Sequence, residues 1–166
     1  MIYTTTPSPI GELLLAGDGI RLSRLSFLGQ GTRERIAIQP TWQRDDTAFA
    51  QARGQLDEYF TGGRRRFEVD LALEGTEWER RVWTALQAIP YGETRSYGQI
   101  ACQVCTVRAA RAVGLANARN PVAVIVPCHR VIGADGSLTG FGGGLERKRT
   151  LLDLEAGRLA LSLPAA

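Results

Sequence analysis

Apolar residues in the first 28 positions come in short bursts separated by turn residues. Residues 2–5 lead into Pro7-Ser8-Pro9-Ile10-Gly11, residues 12–16 end at Gly17-Asp18-Gly19, and residues 20–28 alternate in part through Leu22, Arg24, Leu25 and Phe27. Strand-length runs bounded by Gly and Pro predict an antiparallel meander. Residues 29–44 are polar, lack a period and are read as loop. Between 46 and 60 the spacing becomes helical through Phe49, Arg53, Leu56, Tyr59 and Phe60, and Gly62-Gly63 stops the run. Residues 64–73 are read as a further strand. Composition turns basic after Glu74-Gly75, which places a domain boundary there and predicts two units, 1–75 and 76–166.

The second unit is more sharply punctuated. Thr76-Glu77-Trp78-Glu79 and Ser96-Tyr97-Gly98-Gln99 are both capping boxes, a hydroxyl followed three residues later by Glu or Gln. The first opens a helix with Val82, Trp83, Leu86 and Ile89 on its apolar face, ended by Pro90-Tyr91-Gly92. The second opens a short helix with Tyr97, Ile100, Ala101 and Val104 inward. After a break near Cys105-Thr106, residues 107–117 are rich in Ala and Arg. Two short helices with a tight turn, the second basic, form the helix-turn-helix pattern, which αα-hairpins that bind nothing also share. Asn120-Pro121 ends that helix, and the apolar run 122–126 is read as a buried strand. Six glycines in 133–144 leave the backbone bare. Residues 145–155 are read as a final helix with Leu145, Lys148, Leu151, Leu152 and Glu155 along one side.

With 166 residues, 44% hydrophobic and 22% charged, the chain has the balance of a globular protein rather than a disordered one. No apolar run approaches membrane-spanning length, and Met1-Ile2-Tyr3-Thr4 lacks the features of a secretory signal, so a cytoplasmic protein without a membrane partner is expected. Three cysteines are too few for a disulfide framework, which fits a reducing compartment. Charge is unevenly spread. Residues 1–75 carry nine basic and ten acidic side chains, residues 76–166 eleven and seven, and from Arg95 to Arg130 there are five arginines and no acid. Such a stripe suits a polyanion, or is simply a solvated face.

The single histidine directly follows Cys128. A thiolate is a soft nucleophile, a free thiol ionises only near pH ~8.5, and an imidazole can serve as its base with a carboxylate behind it. Adjacent residues of a regular strand point to opposite faces, so the pair works together only if the backbone bends or a water bridges them. The plain alternative is a buried, inert thiol beside a hydrogen-bonded histidine. Cys102 and Cys105 would complete a four-ligand zinc set with Cys128 and His129, but they flank a helix whose apolar side faces inward, so buried packing is the preferred reading and neither a metal nor a cofactor is expected.

The block from Asn120 to Gly133 around Pro127-Cys128-His129-Arg130-Val131 closely resembles the active-site segment of the O6-alkylguanine-DNA alkyltransferases. The resemblance extends to Ile89-Pro90-Tyr91-Gly92-Glu93-Thr94, Ser96-Tyr97-Gly98-Gln99-Ile100-Ala101, Ala109-Ala110-Arg111-Ala112-Val113-Gly114 and Gly140-Phe141-Gly142-Gly143-Gly144-Leu145, in order, over about residues 76–157. Residues 1–75 are similar to the family only in size and layout.

The resemblance implies an α+β protein: a small antiparallel sheet domain with a helix, similar to a ribonuclease H core, followed by a mainly helical domain with a winged helix-turn-helix. It implies DNA repair by direct reversal, in which O6-alkylguanine is rotated out of duplex DNA and its alkyl group moves irreversibly to Cys128, once per molecule. His129 and Glu155 would form the activating relay through a bridging water, with Asn120 bracing the turn before the nucleophile. Tyr97, Val131 and Gly142 would contact the guanine. Phe141 stands where Tyr is common and lacks its hydroxyl, for which Lys148 would compensate. Ala123, where some relatives have Pro, implies room for groups bulkier than methyl. Arg111 would fill the gap left by the extruded base, while Ala109, Ala110, Ala112 and Gly114 let the helix approach the minor groove closely. Arg95, Arg108 and Arg119 would touch phosphate or solvent. The expected partner is double-stranded DNA carrying the lesion, bound by a monomer with scope for cooperativity. A damage-binding relative would lack the nucleophile, a transcription factor would need an effector domain, and a Cys-His hydrolase leaves the Arg111 helix without a role.

Overall fold

The computed structural model describes residues 1–29 and 37–165. β1 (Ile2–Thr6), β2 (Leu13–Gly17) and β3 (Leu22–Phe27) form the expected antiparallel meander. A fourth strand, β4 (Gln43–Arg44), pairs parallel to β1 and gives the order β3-β2-β1-β4. It lies in the stretch read as loop, because two exposed polar residues carry no hydrophobic signal; residues 30–36 of that stretch fall outside the described residues. In β2, Leu13 and Leu15 enter the main core while Leu14 is equally buried. This sheet is therefore covered on both sides, the condition under which a strand reads as a continuous apolar run.

α1 (Ala50–Phe60) follows, with Ala52, Leu56, Tyr59 and Phe60 buried. It begins four residues later than its pattern predicts, and Phe49 takes up a left-handed conformation at its N-cap (φ 56°). Residues 64–73 form no regular strand. They meet the sheet at one bridge, Leu22 to Leu71, where Leu22 N donates to Asp70 O and Ala72 N to Leu22 O, both at 2.9 Å. Beyond it a side chain replaces the neighbouring strand: Gln55 accepts from Glu68 N at 2.7 Å and donates to Glu68 O at 3.1 Å.

The C-terminal part is mainly helical, and the fold is α+β. α2 (Glu77–Gln87) and α3 (Tyr97–Val104) both start with complete capping boxes, at Thr76/Glu79 and Ser96/Gln99. Between the helices, β5 (Arg95–Ser96) pairs parallel with β6 (Val131–Ile132). After α3 a 3-10 turn at Val107–Ala109 leads into α4 (Ala110–Ala118), completing the helix-turn-helix. Trp83 packs in the core and donates its indole N–H to Ala116 O at 2.9 Å, fixing α2 against α4. α5 (Leu145–Glu155) buries Lys148, Leu151, Leu154 and Glu155; Leu145 is exposed rather than inward, and Leu152 is half-buried.

The apolar run 122–126 is a tight turn, not a strand. Val122 bridges to Leu25, where Leu25 N donates to Pro121 O and Ala123 N to Leu25 O, and the chain then reverses with Val124 at φ 69°. Left-handed backbone is unfavourable for a β-branched residue. Asn120 holds it in place, accepting from Val122 N at 3.0 Å and donating to Val126 O at 2.8 Å. Periodicity cannot separate a buried turn from a buried strand over five residues.

The capping boxes set how firmly the C-terminal helices begin. Thr76→Ala removes the acceptor for Glu79 N and should cost about 1 kcal/mol, a fall of roughly 3 °C in Tm. Thermal unfolding followed by circular dichroism checks this, and an unchanged Tm would show that α2 is held by packing alone.

Candidate active site

The turn at 122–126 delivers the chain into a 3-10 turn, Cys128–Arg130, before β6. This bend lets both Cys128 and His129 face the interior; Cys128 is 5% exposed and His129 fully buried. His129 Nε2 lies 2.7 Å from Glu155 Oε1. Arg130 Nε donates to Glu155 Oε2 at 2.8 Å and its Nη2 to Oε1 at 3.0 Å, while Nη1 donates to Ile89 O at 2.6 Å. Tyr59 of α1 donates its hydroxyl to Oε1 at 2.6 Å, and Gly92 N donates to Oε2 at 3.3 Å. Gly92 sits at φ 79°, and a Cβ there would approach Glu155 O to 3.1 Å, so glycine serves both the turn and the close approach.

Electrostatics fix the proton positions. Burial pushes the Glu155 carboxyl up, but its hydrogen bonds and charge interactions with His129 and Arg130 prevail and hold it well below the usual carboxylate range. His129 moves down: burial disfavours its charged form, and Arg130 and Lys148 add to that against the pull of Glu155. The imidazole is thus neutral. Because the ionised carboxylate can only accept, Nε2 carries the proton and Nδ1 is the acceptor. Nδ1 is buried and has no hydrogen-bond partner among the described residues. Burial raises the Tyr59 phenol, and Glu155 raises it further, so Tyr59 remains a neutral donor.

Lys148 is fully buried and donates to Val131 O at 2.6 Å and Thr139 O at 2.8 Å. It therefore ties β6 and the glycine-rich segment to α5 with two of the three donors of its ammonium. Burial lowers its pKa to about 8, opposed by the charge of Cys128. Tyr97 donates to Thr139 O at 3.0 Å. Next to Cys128 is a cavity of about 20 Å³ whose wall includes Phe27, Ala123, Phe141 and Gly142. Ala123 is thus at the cavity, but the space beside it holds little more than a water-sized group. The Phe27 and Phe141 rings stand 6.0 Å apart, and a Cβ on Gly143 would run into both. That loop passes so close to the rings that only glycine fits.

The acid-free arginine stripe does not survive folding as a stripe. Arg95 pairs with Glu93 at 2.8 Å, Arg119 with Glu79 at 3.1 Å, and Arg130 is buried on Glu155. Arg119 stays 60% exposed despite its ion pair and so remains in contact with solvent. Arg108 and Arg111 are exposed and make no ion pair among the described residues. Arg111 rises from α4 beside Ala109, Ala110, Ala112 and Gly114, and a Cβ on Gly114 would meet only the Tyr97 ring, at 3.8 Å. The cysteine pair also differs from expectation: Cys102 and Cys105 are exposed, since the inward face of α3 is filled by Ile100, Ala101 and Val104. Among the described residues no cluster of three or more His, Cys, Asp or Glu could hold a metal. The Glu155 partners that sequence reasoning missed are Tyr59 and Arg130. Arg130 stood beside the Cys-His pair as its only signal.

A buried thiol, a neutral imidazole and an ionised carboxylate set beside a helix-turn-helix make a nucleophile protein built to work against another macromolecule. Residues 77–157 match the model of the 6-O-methylguanine DNA methyltransferase DNA-binding domain, and residues 1–73 that of its ribonuclease-like domain. The methylated-DNA--protein-cysteine methyltransferase of Mycobacterium leprae is 57% identical over 156 residues, covering 94% of this chain and 93% of its own. That of Methanosarcina acetivorans is 51% identical, covering 93% and 98%. The crystal structure of Mycobacterium tuberculosis OGT in complex with DNA matches with a TM-score of 0.89 at 54% identity over 96% of both chains. The chain belongs to the 6-O-methylguanine DNA methyltransferase family.

Both depressed pKa values have the same consequence for stability. As pH falls below 6.5 the unfolded chain protonates its histidine before the native chain does, and below 4.5 the same holds for Glu155. The native state binds fewer protons, so stability present above 6.5 is lost on acidification, first through His129 and then more steeply through Glu155. Urea midpoints measured from pH 8 to 4 should fall slightly near pH 8, where native Lys148 takes up its proton, level off towards neutrality, and fall again below 6.5. A midpoint that rises through the range contradicts the assigned protonation states.

Proposed function

We propose that this chain repairs DNA by direct reversal, moving an alkyl group from O6 of guanine onto Cys128. The observation that carries this is the Cys128-His129-Glu155 line, buried at the root of a helix-turn-helix whose outer surface is bare and arginine-bearing. His129 Nδ1 takes the thiol proton, directly or through water, and the Glu155 carboxylate stabilises the imidazolium that forms. The Lys148 ammonium favours the thiolate. Sγ then attacks the carbon on O6, the S–C bond forms, the C–O6 bond breaks, and its electron pair leaves with the guanine. The proton lost by the thiol ends on the base, so guanine is restored and a thioether remains. A thioether is a poor leaving group, which makes each molecule act once.

Asn120 fixes the turn that aims Cys128, and Tyr97, Val131 and Gly142 position the base. The small cavity bounded by Phe141 takes the alkyl end. Arg111 enters the stack in place of the extruded nucleotide. Ala109, Ala110, Ala112 and Gly114 give α4 the slim surface needed to lie in the minor groove, whose degenerate base pattern suits a protein indifferent to sequence. Residues 76–166 are the DNA-binding and transfer unit and residues 1–75 its support. The protein acts as a monomer in the cytoplasm on double-stranded DNA; among the described residues no helix is long and apolar enough to cross a membrane.

Incubation with a duplex containing O6-methylguanine should add one methyl to the tryptic peptide of residues 120–130. Cys128→Ser should keep binding to the damaged duplex and lose transfer; undiminished transfer would falsify the nucleophile assignment. Arg111→Ala should slow repair of duplex DNA by about 10- to 100-fold while affecting reaction with the free O6-methylguanine base much less, because only the duplex requires extrusion. Equal losses on both substrates would remove the intercalating role.

A further inference from the structure

A second cavity opens where residues 65–71 pass the end of α2. It measures about 580 Å³ and shares no lining residue with the small cavity beside Cys128. That volume suits a small organic molecule. Phe67, Val69, Leu71 and Ile125 give it an apolar side. Its polar side holds Arg65, Arg66, Arg130 and Tyr91, and no carboxylate among the described residues lines it. The guanidiniums of Arg65 and Arg130 lie 5.5 and 5.8 Å from the centre of the Tyr91 ring, so two positive charges gather around one side chain. Arg130 donates three of its five N–H groups, two to Glu155 and one to Ile89 O. Two N–H groups stay unused on a side chain that is only 7% exposed and borders this cavity. Glu155 balances the charge of Arg130. The exposed Arg65 and Arg66 have no carboxylate partner and no side-chain hydrogen bond among the described residues, and the Tyr91 hydroxyl is equally unbonded. Burial raises the Tyr91 phenol, which therefore stays a neutral donor.

We propose that this cavity binds a small organic phosphate monoester, its phosphate held by Arg65, Arg66 and the spare donors of Arg130 and Tyr91, its apolar body against Phe67, Val69, Leu71 and Ile125. Guanidinium forks fit the paired oxygens of phosphate and carboxylate alike. The charge count decides between them: a phosphate monoester carries close to two negative charges at neutral pH, which matches the two unbalanced cations, whereas a carboxylate carries one. The site lies apart from alkyl transfer, since neither Cys128 nor any residue of α4 lines it. It therefore stands whether or not Cys128 takes an alkyl group. The DNA backbone offers similar oxygens as phosphodiesters, and competition tells the two sources apart.

Phenyl phosphate is the probe, because it joins the anion to a compact apolar ring. Titration calorimetry on the full chain at about pH 8 should show one-to-one binding, about tenfold tighter than inorganic phosphate, which brings the charge without the ring. Arg65→Ala and Arg66→Ala change exposed side chains and should each weaken binding about fivefold or more, with the double variant losing it. Arg149→Ala removes an exposed arginine outside the cavity and should leave the affinity unchanged. A saturating undamaged duplex should not displace the probe. Absence of binding at millimolar phenyl phosphate, equal affinity for inorganic phosphate, or full binding by the double variant overturns the proposal. Displacement by the duplex assigns these arginines to the DNA backbone and overturns it as well.

Discussion

The Glu155 carboxylate collects four donor residues from three parts of the chain: Tyr59 in the N-terminal part, Gly92 after α2, and the neighbours His129 and Arg130 beside Cys128, all converging on the end of α5. A buried carboxylate is costly unless it is paired and fully hydrogen-bonded, and removing a partner from such a pair typically costs about 3–5 kcal/mol. Glu155 meets that condition only when all these segments are in place. The same interaction therefore closes the fold and sets the tautomer of the base. Arg130 is the counter-charge that keeps Glu155 ionised without a charged His129, which leaves Nδ1 able to accept a proton.

The N-terminal part contributes more than bulk. β3 accepts the backbone of residues 121–123 along its edge, so the turn that aims Cys128 is anchored on the sheet. Phe27, the last residue of β3, reaches the cavity wall and packs against the glycine-rich segment. Tyr59 completes the Glu155 set. One continuous hydrophobic core links the sheet, α1 and the C-terminal helices, so strain at Val124 is borne by the whole body rather than by a loop. A displaced sheet would disturb nucleophile, carboxylate and cavity together.

Folding also divides the arginines by role. Three of the five in the acid-free stretch find carboxylates, Arg95 two residues away and Arg119 and Arg130 40 and 25 residues away, whereas Arg108 and Arg111 make no ion pair among the described residues. Only Arg130 is withdrawn from the surface; Arg95 and Arg119 stay exposed beside their carboxylates.

What the sequence determined by itself was local and covalently close. The meander was legible from turn residues, the starts of α2 and α3 from paired capping side chains, and the small side chains of α4 from its run of Ala and Gly. These signals span a few residues and rest on backbone preferences. Tertiary structure decided the rest. Residues 122–126 became a turn because Asn120 and the β3 edge compete successfully for backbone that apolar content alone leaves undecided. Residues 64–73 remained unpaired over most of their length because a side chain, Gln55, satisfies Glu68. The exposure of Cys102 and Cys105 depended on which face of α3 met the core. Most of all, the grouping of Tyr59, Arg130 and Glu155, up to 96 positions apart, carries no sequence period, since its cause is the need of one buried charge for donors wherever the fold can bring them.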